Sequence, residues 1–225
     1  MTLVTMQNEL ENKPIRDIAY ENLKHAIITG ELTPGSRIVE TLYANKLHIS
    51  RTPLREALRK LELDGLVHYE LRRGVIVNAF TLSDIDEIFT IRNAMMMLLL
   101  PSVVEKAKPE DLDNLNAILK KMDAALEKDD CEALAILNRQ FHDSFEHISD
   151  KKRILSVIDG QQEYIIRFSA VAIQSLEHRR VAHDEHHEMV RLLREKDLES
   201  LKSLMQRHLE DSKESCLRAL RNREF

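Results

Sequence analysis

The sequence predicts a mainly α protein in two parts. A small unit of short helices and one hairpin spans residues 1–80, and an antiparallel all-α bundle of about six helices spans residues 81–225. Three observations predict this division. Up to residue 77, short apolar stripes at helical spacing alternate with glycine turns. Four of the five glycines (Gly30, Gly35, Gly65, Gly74) lie before residue 80, and the remainder carries only Gly160. From Ser83 onward the periodicity is helical almost without interruption and no segment is rich in strand formers, the pattern of a bundle. With 225 residues there is room for a module of about 75 residues and a larger domain behind it.

In the first part, Pro14 to Thr29 reads as a helix with Ile15, Ile18, Ala19, Leu23, Ala26 and Ile27 inward, closed by Gly30. Leu32-Thr33-Pro34-Gly35-Ser36 is a turn, in which Pro presets φ and Gly accepts the left-handed position. Glu40 to Leu47 is a second short helix. His48-Ile49 turns the chain into a third, with Ser50 as N-cap, Pro53 in the first turn, and Gly65 past the end. Leu54, Ala57, Leu58 and Leu61 form the buried stripe of this third helix.

Two short helices around a tight turn make a helix-turn-helix. Leu66–Tyr69 and Val75–Val77 then have strand composition, with Arg72, Arg73 and Gly74 at the tip between them. That hairpin is the wing. Arg51, Arg55 and Arg59 recur at i, i+4 and i+8 and stack along the face opposite the apolar stripe, where they suit a DNA groove edge. A solvated basic face is the plain alternative for an isolated helix; the turn, the second helix and the wing favour DNA.

The net charge of −5 argues against a nonspecific nucleic-acid binder. Residues 1–80 hold 11 basic against 10 acidic side chains, and residues 81–225 hold 22 against 28, so placement of charge must carry DNA recognition. No apolar run approaches the roughly 20 residues of a bilayer span: Ala94 to Leu100 is short and is closed by Pro101. The N-terminus, with Glu9 and Glu11, has no signal-peptide pattern, and Cys131 and Cys216 form no CxxC pair. A cytoplasmic location without membrane contact is expected.

Within the bundle, Ser83 with Asp86 three residues later is a capping signature, and Pro109 fits a first helical turn. Breaks are expected near Lys106–Lys108, Asp129-Asp130, Ser149-Asp150, Glu177-His178 and Lys196-Asp197. Seven of the ten histidines lie here (His142, His147, His178, His183, His186, His187, His208). Asn138 and His142 share a helix face at i, i+4, while His186 and His208 sit in apolar periodicity on two later helices. One amide oxygen and three imidazoles could converge on a metal in the bundle core. His147, His178, His183 and His187 read as surface or packing residues, with His187 the one that a small helix rotation would exchange for His186.

The spacing of Gly30-Glu31-Leu32-Thr33-Pro34-Gly35, of Ser50-Arg51-Thr52-Pro53-Leu54-Arg55-Glu56-Ala57-Leu58, of Leu61 to Leu66 and of Arg73-Gly74 resembles the DNA-binding domain of GntR-family bacterial transcription regulators. The resemblance implies base contacts from Arg51 and Arg55, help from Ser50 and Thr52, and entry of Arg73 with Gly74 into the adjacent minor groove. Arg59 and Arg72 join them from the basic face and the wing tip. One departure is Glu40-Thr41, where the family often has a basic residue.

A second resemblance covers the bundle. Arg92, Asn138 with His142, Glu185-His186 and Arg207-His208-Leu209 are similar in order and spacing to the FCD ligand domain of the FadR branch of GntR regulators. That domain implies a divalent metal held by an Asp and three His, with a small carboxylate effector completing the coordination. Carried over, the ligands are Asn138, His142, His186 and His208, with Arg92 toward the effector. Asn138 offers a neutral amide oxygen where the family has a carboxylate, which favours Zn or Ni over Mn. Met96 stands where the family commonly has Glu. Six helices rather than seven point toward the VanR-like subgroup.

The implied function is effector-controlled binding of double-stranded operator DNA by a homodimer, because one helix-turn-helix reads one half-site. Two other classes are weighed. His142-Asp143 and His183-Asp184 suggest a metal-dependent phosphohydrolase of the HD type, which leaves the first 80 residues unexplained. The zincin pattern fails because Arg191 holds the place of its second histidine. A winged helix that binds protein would not need Arg51, Arg55 and Arg59. No enzymatic activity is expected.

Overall fold

The computed structural model describes residues 13–79, 81–161, 164 and 176–221. The chain divides into two compact units, Met1–Phe80 and Thr81–Phe225. The first contains α1 (Ile15–Ile28), β1 (Arg37–Ile38), α2 (Glu40–Lys46), α3 (Arg51–Leu63), β2 (Val67–Glu70) and β3 (Gly74–Val77).

α1 packs on α3, which buries the predicted stripe Leu54, Ala57, Leu58 and Leu61. Two expectations need correction. Ile15 is 56 % exposed instead of inward. Tyr20 is buried instead, and its hydroxyl donates to Asp64 at the end of α3. Ser50 does occupy the N-cap position with extended backbone, but its side chain makes no capping bond. Pro53 removes one of the two amides such an oxygen could accept from, that of the third helical residue, leaving only that of Thr52.

α2 and α3 are joined by His48 at φ 53°; the His48 N–H reaches Asn45 O at 3.1 Å and Ile49 N–H reaches Ala44 O at 3.0 Å. These two bonds form a Schellman ending, and the same pair recurs at Gly65 (φ 72°), where Gly65 and Leu66 bond back to Glu62 and Leu61.

The wing is an antiparallel sheet of order β1-β3-β2, with Glu70 opposite Gly74 and Arg37 opposite Ile76. β1 was not expected, since two residues are too few to show alternation. Arg72 sits at the tip with φ 69°, and Gly74 with φ 86°.

The second unit contains α4 (Leu82–Lys106), α5 (Pro109–Glu127), α6 (Cys131–His147), α7 (Lys152–Gly160), α8 (Leu176–Glu195) and α9 (Leu198–Arg221). α4 packs on α6, α7 and α9, α5 on α6 and α8, and α8 on α9. Met96, Leu99, Leu100, Phe141, Phe145, Met189 and Met205 are among the core residues.

The capping box of α4 is Thr81/Asp84, not Ser83/Asp86: Asp84 N–H donates to Thr81 Oγ1 at 3.2 Å and Thr81 N–H to Asp84 Oδ2 at 2.6 Å. Ser83 lies inside the first turn and donates to Glu87 instead. Nor does Pro101 close the apolar run. It lies within α4, where it removes the amide that Met97 O would accept. Burial of Leu99, Leu100 and Val103 around it holds the helix through that gap. Among the described residues α4 is long and apolar enough to cross a membrane (mean hydropathy 1.4), but half of that stretch is buried within its own unit, as in a core helix.

α8 runs through Glu177 and His178 from Leu176, and the chain just before it, where a nearby break would fall, lies outside the described residues. The helix number behind the VanR-like expectation depends in part on positions outside the described residues. The breaks expected near Lys106–Lys108, Asp129-Asp130, Ser149-Asp150 and Lys196-Asp197 are present, the last three at left-handed positions held by residues other than glycine. Asp129 (φ 54°), Asp150 (φ 53°) and Lys196 (φ 56°) occupy them. At Lys196 the Schellman pair is Lys196 N–H to Leu193 O at 3.2 Å and Asp197 N–H to Leu192 O at 3.0 Å.

Candidate functional site

In the first unit, Arg51, Arg55 and Arg59 are all exposed on the outer face of α3, with Ser50 and Thr52 exposed at its start. Glu40, the departure noted at the start of α2, engages two of them: its Oε2 accepts from Arg51 Nη2 at 3.0 Å and from Arg55 Nε at 2.8 Å. Burial pushes the Glu40 carboxyl up, but the bonds from Arg51 and Arg55 outweigh it and hold the group below its ordinary value. One acidic residue therefore holds both guanidinium groups at the helix N-terminus.

Arg51, Arg55, Arg72 and Gly74 line a common groove between helix and wing, joined by Arg37. Arg59 lies farther along, beside Glu62 and His68. Arg73 turns back, donating from Nη1 to Glu70 Oε2 at 2.7 Å. Arg37 was missed by sequence reasoning. Its guanidinium lies 3.7 Å from where a Cβ on Gly74 would stand, a proximity created by the pairing of β1 with β3.

In the second unit, α6, α8 and α9 bring His142, His186 and His208 together, all buried, with one ligand nitrogen of each within 4.8 Å of the others. His142 Nε2 and His186 Nε2 face each other at 3.2 Å, and the ring centroids of the three lie 4.9 to 5.4 Å apart. Phe141 packs against the His186 ring, with centroids 4.6 Å apart.

His208 is oriented from behind: its Nδ1 bonds Glu185 Oε2 at 2.9 Å, and Glu185 also accepts from Arg207 Nε at 3.0 Å. Glu185 is pushed up by burial, yet these partners bring it below the ordinary carboxylate value. His142 and His186 are driven well below 6.5, first by burial and then by neighbouring positive charge. Both are neutral imidazoles at pH 7, the form that ligates metals. Their Nδ1 atoms are buried without a partner.

Asn138 is half-buried, one turn before His142 on α6. Arg92 is buried and donates from Nη2 to Glu146 Oε1 at 2.7 Å. Arg92 is thus already paired within the protein, and a carboxylate effector at this position would share it with Glu146. Burial raises the Glu146 carboxyl despite the neighbouring guanidinium. Met96, in the place where the family commonly has Glu, is fully buried; the acidic partner comes from α6 instead. The roles of Glu146 and Glu185 were not read from sequence, although Glu185-His186 stood in the quoted motif.

His147 is exposed and bonds Asp143 O at 2.7 Å; His178 is half-buried. His183 and His187 both reach Asp123 of α5, at 2.6 and 3.1 Å. His186 and His187 do not exchange: the first points into the core cluster and the second outward. Of the His-Asp dipeptides, Asp143 accepts from Arg139 Nε at 3.0 Å and Asp184 is exposed. Neither carboxylate belongs to the three-histidine cluster among the described residues.

A winged helix-turn-helix carrying an outward arginine row, in one chain with an all-helical domain, defines the class of two-domain transcription regulators. Residues 16–77 match the bacterial regulatory proteins of the gntR family, and residues 87–211 match the FCD domain. The chain belongs to the GntR family of transcription regulators, in the branch that carries an FCD domain. It is 32 % identical over 162 residues to the uncharacterized HTH-type transcriptional regulator YdhC of Bacillus subtilis, covering 71 % of each chain. It is 31 % identical over 138 residues to the HTH-type transcriptional regulator McbR of Escherichia coli, covering 61 % of this chain and 62 % of McbR. The solved structure of E. coli McbR/YncC shares the fold, with TM-score 0.70 and 24 % identity over 92 % of this chain and 99 % of that one.

Proposed function

We propose that the protein is a cytoplasmic homodimer that binds double-stranded operator DNA through its first unit, residues 1–80, and that a small carboxylate effector bound in its second unit, residues 81–225, changes that affinity. The observation that carries the DNA reading is the groove lined by Arg51, Arg55 and Arg72, with Arg37 beside Gly74. Arg51 and Arg55 reach base edges from the start of α3, Ser50 and Thr52 meet phosphate, Arg59 extends the basic face, and Arg73 with Gly74 enters the neighbouring minor groove. Glu40 tethers the two arginines to one carboxylate oxygen and cancels part of their attraction for phosphate. No enzymatic step is assigned. Among the described residues neither Asp143 nor Asp184 joins the three-histidine cluster, which counts against the HD reading.

The donor set of the second unit fits a divalent metal. Two nitrogens on a tetrahedral centre at about 2.0–2.1 Å from the metal lie roughly 3.3 Å apart, close to the 3.2 Å between His142 Nε2 and His186 Nε2. Without an ion, two neutral rings facing through Nε2 can share only one proton, whereas an ion would be ligated by both nitrogens. His142, His186 and His208 would hold the ion, Asn138 would add an amide oxygen, and Glu185 orients His208 in the manner of an outer-shell carboxylate. Zn or Ni suits three imidazoles better than Mn. The bound ion supplies a Lewis-acidic position for an effector carboxylate, and Arg92 with Glu146 forms the polar wall beside it.

Native mass spectrometry of untagged, chelator-free protein tests the second unit: a dimer with divalent metal and an organic-acid mass is expected, and a metal-free monomer overturns the reading. For the first unit, selection from a random duplex library should return a sequence with two related half-sites. Retention of random DNA without enrichment would contradict operator reading.

A further inference from the structure

We infer that the protein carries a second, outer metal site for a divalent transition ion, formed by Asp123 of α5 with His183 and His187 of α8. His183 Nε2 lies 2.6 Å from Asp123 Oδ1, His187 Nε2 lies 3.1 Å from the same oxygen, and the two imidazole nitrogens lie 3.3 Å apart. One ligand atom of each residue falls within 4.8 Å of the others. His183 and His187 are four residues apart on one helix face, the spacing at which two imidazoles can share an ion.

The two histidine clusters differ in kind. The core cluster is all imidazole and fully buried, whereas the outer one joins two imidazoles to a carboxylate, with His187 and Asp123 nearly half exposed. Hydrogen bonding alone explains the outer geometry incompletely. Both Nε2 atoms converge on the single Oδ1 of Asp123 and stand 3.3 Å from each other, so two N–H protons would crowd one acceptor where one ion could be ligated by all three atoms. Two imidazoles and one carboxylate make a borderline site suited to Zn, Ni, Co or Cu, with water filling the exposed coordination positions. Mg and Ca prefer all-oxygen cages.

The placement has a consequence for regulation. α8 supplies His186 to the core cluster and His183 and His187 to the outer one, so an ion bridging α8 to α5 fixes the rotation and register of the helix that also carries a core ligand. Ion binding outside thereby favours the α8 position that aims His186 inward, which couples the two sites with positive sign.

The test uses full-length protein stripped with chelator and titrated with Zn(II), followed by calorimetry and native mass spectrometry. About two equivalents per chain are expected. His187→Gln and Asp123→Asn, both on the solvent side, should each lower this to about one while leaving circular dichroism unchanged. His208→Gln should instead remove the core equivalent and leave the outer one, which separates failure of this site from failure of the core site. Co(II) bound to the His208→Gln variant should show d–d absorption that is lost on adding His187→Gln. Zinc stoichiometry identical in wild type, His187→Gln and Asp123→Asn would overturn the proposal and leave Asp123 as a hydrogen-bond acceptor for two histidines.

Discussion

The two units use charge in opposite ways. In the first, the arginines proposed to read DNA project outward from α3 and the wing, and among the described residues the acid that meets Arg51 and Arg55 is the partly exposed Glu40. In the second, Arg92, Glu146, Glu185, His142, His186 and His208 are all buried. Outward charge contributes little to stability and acts on a partner through a long-range field. Inward charge must be satisfied by specific neighbours, so it depends on the fold and the fold depends on it. A substitution in the first unit should therefore change binding and spare stability, and one in the second should change both.

The strongest expected effect tests the inward side. Glu146→Ala leaves Arg92 buried without its partner and should destabilise the protein by about 3–5 kcal/mol in urea unfolding. The double variant Arg92→Met, Glu146→Leu should recover most of that loss. A single-variant cost below about 1 kcal/mol would mean that water reaches the pair and would blunt the contrast between the units.

On the outward side, Arg55→Ala should cost about 1–3 kcal/mol of discrimination between selected and random duplexes, with unfolding unchanged. Arg72→Ala should weaken both duplexes evenly and reduce the salt slope by about one unit. Unchanged operator affinity in the Arg55 variant would remove that residue from the reading face.

A third variant probes backbone and not charge. Lys196 holds φ 56° in the Schellman ending of α8. Replacing it by glycine should stabilise the second unit by about 1 kcal/mol, since a side chain there costs roughly 1–2 kcal/mol of strain. A loss of stability on thermal unfolding would show that Lys196 contributes through its charge near the helix C-terminus.

The smallest effect concerns Glu40. Its folded carboxyl is held below the ordinary 4.5 by Arg51 and Arg55. The contribution is therefore present above about pH 4.5 and lost as pH falls through the lowered folded value. The exposed partners keep it under about 1 kcal/mol, read as the difference between wild type and Glu40→Gln across acidic pH. The same variant at pH 7 should raise affinity for random DNA and steepen its salt dependence, narrowing the preference for selected sequence. Flatter salt dependence would show that Glu40 acts only by orientation.

Read alone, the sequence sets the order of helices in the first unit, the face of α3 that points out, and the wing. These follow from local spacing: 3.6-residue periodicity assigns faces, and the glycines at 65 and 74 punctuate a chain whose neighbours are close in sequence. The chemistry of FCD ligands was legible through order and spacing, not through geometry.

Only the tertiary structure decided the rest. Composition marked the breaks near Lys106–Lys108, Asp129-Asp130, Ser149-Asp150 and Lys196-Asp197, but not that Asp129, Asp150 and Lys196 would take the left-handed position there, and sequence does not show the burial that carries α4 past the bond missing at Pro101. Sequence order likewise does not pair Arg92 with Glu146 across 54 positions, or Asp123 with His183 across 60. Those partners are chosen by which helix faces pack together, and buried polar groups become specific only when packing excludes the water that would otherwise satisfy them.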